Sequence, residues 1–295
     1  MKYALVGVGS GSTVRPEPLA EVATMAETLG FESLWIPEHL AVPVEMQARY
    51  PGSADGTFPG GPGVNLHDPF VALSFVAART KTIKLATGVF VLPLRNTLTT
   101  AKAVASLDVL SCGRVIFGIG VGWCEEEFEA VGVSFRNRVS RTREALDVMR
   151  ELWTAEYPRF AGQHHKFAPL GFNPKPLQVP YPPIVFGGES EPALKRAAEL
   201  ADGWCGIRHS PHSVRAYIGR LKALVQEAGR DFSQFEVTVG MESGIAPTVD
   251  TVKKFEDAGV HRLFVFAPGW VRRRKFKTDL FPQMEAFAND VMRKV

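Results

Sequence analysis

Cysteine is scarce: Cys112, Cys124 and Cys205 are the only three in 295 residues, and they share no CxxC spacing. That excludes a zinc ribbon and a disulfide-stapled scaffold and fits a reducing compartment, with each thiol expected to be a small buried hydrophobe. No apolar run approaches the ~20 residues of a membrane span. At the start, Lys2 precedes only Tyr3 to Val6 before glycine intervenes, shorter than the about seven apolar residues of a signal peptide core. The expected location is cytoplasmic. None of the seven histidines forms a metal motif such as HExxH, so no metal is expected. A large charge imbalance is also missing. The net +3 is spread along the chain except at one cluster, which argues against nucleic acid and membrane and for a small-molecule partner.

What is present is a long rhythm of apolar runs. With 45% hydrophobic and 22% charged residues the chain buries a large core without staples. Short apolar runs at Tyr3–Val8, Ser33–Ile36, Ile83–Thr87, Val115–Ile119, Ile184–Phe186, Trp204–Ile207, Glu236–Met241 and His261–Phe266 alternate with helical patterns. Two stretches break the rhythm, Leu40–Leu66 and the proline-rich Glu156–Pro182. Strands too apolar to face water, alternating eight times with helices, predict an α/β chain folded as a single (β/α)8 barrel domain over residues 1–295. The irregular stretches are then insertion loops after strand two and before strand five, the first a lid over Asp55–Asn65. An open doubly wound sheet is the alternative.

In such a barrel the chemistry sits just after each strand. Strand two delivers Glu38 and His39, strand three Gly88 and Val89, strand four Gly120, Gly122 and Trp123, and strand five Gly187, Gly188, Glu189 and Ser190 behind Phe186. Glycines there allow close backbone approach to a ligand, and GGES ahead of a helix suits a phosphate. The GxGxG of Gly118 to Gly122 lacks the spacing of a dinucleotide fingerprint. His39, beside Glu38 and before a long loop, is the candidate proton donor or acceptor. His164 and His165 fall in the insertion, His209 and His212 in a loop. Asp108 is expected to form an ion pair with Arg114. The run Arg272, Arg273, Arg274, Lys275 and Lys277 is either a solvated surface or a site for an anionic group.

Four ordered segments, ETLGFESLWIPEHL (Glu27–Leu40), LATGVFVLPLRNTLTTAKAVASLDVLSCGRVIFGIGVGW (Leu85–Trp123), EEF (Glu126–Phe128) and PPIVFGGESEPALKRAAELADGW (Pro182–Trp204), resemble the bacterial luciferase-like monooxygenase superfamily. Within it the chain is most similar to the deazaflavin-dependent oxidoreductase branch. The resemblance implies a barrel that holds a flavin-like ring at the strand ends, as coenzyme F420 or alternatively as FMN. It assigns cofactor contacts to Gly88, Val89, Gly120, Gly122, Trp123, Phe186, Gly187, Gly188, Glu189 and Ser190. His39 matches the histidine beside the reacting ring, and Glu38 stands where many members have aspartate; both are expected to be catalytic. Gly88–Val89 matches a non-prolyl cis peptide behind the ring. Trp123 replaces the glutamate of the sugar-phosphate dehydrogenases, which counts against that substrate. The expected activity is hydride transfer between F420 and an organic substrate. The rivals are an FMN-dependent monooxygenase fed by a separate reductase and a silent flavin-binding protein. A homodimer, with a separate flavin or F420 reductase as partner, is implied by the same resemblance.

Overall fold

A computed structural model describes residues 1–53, 55–270 and 275–295. The eight apolar runs become eight parallel strands: β1 (Lys2–Val6), β2 (Ser33–Ile36), β3 (Lys84–Thr87), β4 (Val115–Gly120), β5 (Ile184–Gly187), β6 (Gly203–His209), β7 (Glu236–Met241) and β8 (Arg262–Phe266). They follow chain order around a ring. Lys2 of β1 lies opposite Arg262 of β8, and Leu85 of β3 opposite Val115 of β4, so the sheet closes and leaves no edge. The helices outside are α1 (Pro16–Leu29), α2 (Pro69–Ala77), α3 (Thr97–Leu110), α4 (Glu125–Ala130), α5 (Arg138–Thr154), α6 (Glu191–Leu200), α7 (Pro211–Glu227), α8 (Val249–Asp257) and α9 (Phe281–Phe287). The closed (β/α)8 barrel is the architecture expected.

Each strand is apolar on both faces because each face has its own core. Ala4, Trp35, Ala86, Ile116, Val185, Cys205 and Phe264 point into the bore. Their neighbours Leu5, Leu34, Leu85, Phe117, Phe186 and Leu263 point out against the helices. Trp35 is the largest bore residue; it meets Phe264 edge to face at 5.1 Å and donates from Nε1 to Ser33 Oγ at 2.9 Å. Its bulk, with the Thr87 carbonyl, accounts for two of the glycines. A methyl group on Gly118 would lie 2.0 Å from the Thr87 carbonyl oxygen and 3.0 Å from the Trp35 ring, and one on Gly88 would lie 3.0 Å from Trp35 Cβ. Burial in this bore also pushes the Cys205 thiol up to about 12.

Several expectations are corrected. Strand four is followed by two helices, since the acidic run Glu125–Glu127 opens the short α4 before α5 begins. The Asp108–Arg114 pair does not form. Asp108 is fully buried and accepts from Leu177 N at 2.8 Å, Gln178 N at 3.0 Å and Gln178 Nε2 at 2.7 Å, tying the second insertion to α3. Arg114 instead donates to the carbonyls of Ala77, Thr80 and Ile83, closing the C-terminal end of α2 where helix carbonyls lack partners. Cys124 and Cys205 are buried, but Cys112 is exposed at the end of α3. The insertion carries a small hairpin, Phe160–Ala161 against Lys166–Phe167. Arg272–Arg274 of the basic run lie outside the described residues, while Lys275 pairs with Asp279 and Lys277 with Glu21 of α1. Among the described residues no helix is long and apolar enough to cross a membrane.

Candidate active site

The C-terminal ends of the strands form the mouth of the barrel, and the expected residues take distinct places around it, some of them turned away from it. His39 leaves β2 and is held by α4. Its Nδ1 lies 2.9 Å from Glu127 Oε2, and the other oxygen of that carboxylate accepts from Leu40 N at 2.6 Å and Ala41 N at 3.3 Å. Glu127 is 2% exposed and the His39 side chain 10%. The ring packs edge to face on Phe58 at 4.7 Å and on Trp123 at 5.5 Å, and Tyr50 lies 5.3 Å from Trp123. A box of aromatic rings from the lid and from the loop after β4 therefore encloses His39. The lid segment is clamped again a little further on, where Glu126 Oε1 accepts from Gln47 N at 2.6 Å and Ala48 N at 3.3 Å.

Val89 forms the floor. It packs on the top of the bore core, half-exposed, with the Gly88–Val89 peptide in the cis form as the resemblance implied. Two more of the predicted glycines make room for it. A methyl on Gly120 would meet Val89 Cγ2 at 3.0 Å, and one on Gly187 would meet Val89 Cγ1 at 3.0 Å. Their first task is thus to admit a side chain. Gly122 has φ +80 and is crowded by Phe128 and Val91, which turns the chain into Trp123.

Glu38 points away from the mouth. Its carboxylate is buried, accepts from Val91 N at 2.5 Å and pairs with Arg95, which also donates to Asp68 at 3.0 Å. Burial pushes the Glu38 carboxyl up to about 7, against the pull of Arg95 and the Val91 N–H. The structure thus commits it to holding the loop behind Val89. Phe186 is likewise buried in the outer core under Arg196.

At the end of β5 Gly187 is half-buried, while Gly188 and Ser190 are exposed ahead of α6, and the Ser190 hydroxyl makes no capping bond. Glu189 turns sideways. Its Oε1 accepts from Ile207 N at 2.7 Å and lies 3.0 Å from His209 Nε2. His209 is therefore a buried end of β6 and not a loop residue, because Glu189 and the stacked Trp204–Tyr217 pair give it partners. Between Ile207 and His209, Arg208 adopts φ +58, an unusual conformation for a residue with a side chain.

A cavity of about 390 Å³ opens across the ends of β6, β7 and β8, lined among others by Val6, Tyr50, Arg208, Met241, Phe264 and Phe266. Burial raises the Tyr50 hydroxyl pKa, and Arg208 partly offsets it. Sequence reasoning missed Glu127, Tyr50, Phe58 and Arg208. Three consecutive glutamates conceal which one turns inward, and a lid without periodicity gives no sign of which aromatic rings it lays on the mouth. Among the described residues no group of three or more His, Cys, Asp or Glu side chains is placed to hold a metal ion.

Comparison with known proteins agrees with this geometry. Residues 4–288 match the family model described as luciferase-like monooxygenase. An uncharacterised protein of Mycobacterium tuberculosis is 38% identical over 268 residues, covering 91% of this chain and 92% of that protein. The 5,10-methylenetetrahydromethanopterin reductase of Methanolobus tindarius is 28% identical over 219 residues, covering 74% of this chain and 59% of that protein. Among solved structures, an F420-dependent secondary alcohol dehydrogenase bound to an F420–acetone adduct superposes with a TM-score of 0.75 at 17% identity, over 99% of this chain and 98% of that one. A barrel whose mouth is floored by Val89 and walled by His39 and Trp123, with a family match over nearly its whole length, belongs to the luciferase-like monooxygenase family.

Proposed function

We propose that the chain is an oxidoreductase that exchanges hydride between the deazaflavin coenzyme F420 and a small organic substrate at the mouth of the barrel. The observation that carries this reading is His39, fixed by Glu127 and packed on Trp123 at the edge of a mouth floored by Val89. The likeness to an F420-dependent alcohol dehydrogenase supports the deazaflavin over FMN.

The residues present fit such a group. Val89 offers an apolar shelf, and the adjoining cavity has apolar walls in Val6, Phe264 and Phe266 with polar groups at Tyr50 and Arg208, a pattern suited to a flat ring with a polar rim. Gly188 to Ser190, just ahead of α6, would take a phosphate on backbone N–H groups. When bound, the coenzyme supplies the hydride chemistry. The chain contributes the rest. Val89 and Trp123 orient, the lid from Leu40 onward excludes water, and His39 supplies or takes the accompanying proton at Nε2.

Titration of the purified protein with F420 and with FMN, followed by ring fluorescence, tests the reading. Micromolar binding of F420 is expected. Binding of FMN alone would transfer the chain to the flavin monooxygenases, and binding of neither would make it a silent member.

A further inference from the structure

A carboxylate has only acceptors to offer. The contact of Glu127 Oε2 with His39 Nδ1 at 2.9 Å therefore requires the ring proton on Nδ1 when the imidazole is neutral. Among the described residues Nε2 has no hydrogen-bond partner, and the ring keeps a small exposure. The second carboxylate oxygen cannot rotate in to share the task, because Leu40 N and Ala41 N hold it. We infer that Glu127 is a positioning residue that fixes the tautomer of His39, so that the neutral ring meets the substrate with a bare Nε2 and accepts a proton before it can donate one. The proton taken at Nε2 leaves an imidazolium whose Nδ1–H still rests on the Glu127 carboxylate. This rests on the reading of His39 as the proton-handling group.

The arrangement makes a directional claim about one substitution. In Glu127→Gln the lid N–H groups of Leu40 and Ala41 still require an acceptor, so the amide oxygen takes the place of Oε1. The amide NH₂ must then face His39. Nδ1 becomes the acceptor, the ring proton moves to Nε2, and the mouth is presented with a donor. The side-chain shape is kept, the negative charge is lost, and the chemistry of one ring nitrogen is inverted.

The test is a long-range ¹H–¹⁵N correlation spectrum of the full chain with ¹⁵N-labelled histidine, at a pH where the ring is neutral, with His39 assigned by its loss in His39→Asn. The expected result is a protonated Nδ1 and bare Nε2 in the native chain, and the reverse in Glu127→Gln. A native ring protonated at Nε2 overturns the inference, as does a Glu127→Gln ring that keeps its proton on Nδ1. If the glutamine variant does not fold, the native spectrum alone decides. The measurement needs no coenzyme, so failure of the tautomer assignment is distinguishable from failure of F420 to bind.

Discussion

The packing of Val89 between two strand-end glycines can be tested by a double-mutant cycle. In Gly120→Ala the new methyl would lie 3.0 Å from Val89 Cγ2, well inside the ~3.5–4.0 Å of a comfortable carbon contact. Gly120 sits in β4 and is buried, so the backbone has little freedom to yield. Overpacking of this kind costs about 1–2 kcal/mol. Val89→Ala removes both γ-methyls from a half-exposed side chain, a loss of about 1 kcal/mol. Independent sites would make the double variant about 2–3 kcal/mol less stable than the native chain, the sum of the two losses. The geometry predicts otherwise, because removal of Cγ2 leaves nothing for the new methyl to strike. The double variant should sit about 1 kcal/mol below native, a coupling of about 1–2 kcal/mol. Urea unfolding followed by tryptophan fluorescence reads all four corners of the cycle. Losses that add to within about 0.5 kcal/mol would refute the proposition that Gly120 is glycine in order to admit Val89.

Three further outcomes are expected. His39→Ala should lower turnover by about 10²-fold or more with an unchanged far-ultraviolet circular dichroism spectrum; unaltered turnover removes His39 from the chemistry. Asp108→Ala should destabilise the chain by about 2–4 kcal/mol, because the donors of Leu177 and Gln178 lose their shared acceptor, and should speed proteolysis within 156–182. A loss under about 1 kcal/mol would mean that water replaces the carboxylate. Glu27 is the acid-sensitive tie: burial alone would raise its pKa, but the N–H groups of Lys81, Thr82 and Ile83 hold it down to about 2. A depressed carboxyl stabilises the fold above its unfolded value and loses that contribution as pH falls toward about 2. After allowance for solvent screening the stake is about 1–2 kcal/mol. The stability gap between the native chain and Glu27→Gln should therefore narrow from pH 7 to pH 3 in urea titrations, and a constant gap would refute the assignment.

The barrel was legible because both of its cores are written in the strands. Apolar residues at successive positions, as in Trp35 and Ile36 or Ile116 and Phe117, mark a strand covered on both sides, and eight such runs alternate with helices. The glycines after the strands were legible as special positions, but sequence spacing assigns no neighbour. Gly88 and Gly120 read in the sequence as backbone bared for a ligand, and the fold shows Trp35 and Val89 filling that space. Contacts between distant segments were out of reach for the same reason. Asp108 and Arg114 are close in sequence and of opposite charge, yet each finds better geometry in backbone groups 30 or more residues away. His39 was visible by its place after a strand. Its partner 88 residues later was not.

The two clamps on the lid also set a mechanical condition. The first turn of α4 grips residues 40–41 through Glu127 and residues 47–48 through Glu126. The strand of lid between them is a short strap with both ends fastened, and Val44 near its middle is 85% exposed. A fluorophore on the thiol of Val44→Cys, placed in a Cys112→Ser chain because Cys112 is exposed, would ride the strap and report whether the lid leaves its fastenings during a turnover. An insertion at the same place would lengthen the strap while leaving both fastenings made, which separates the reach of the lid from its attachment.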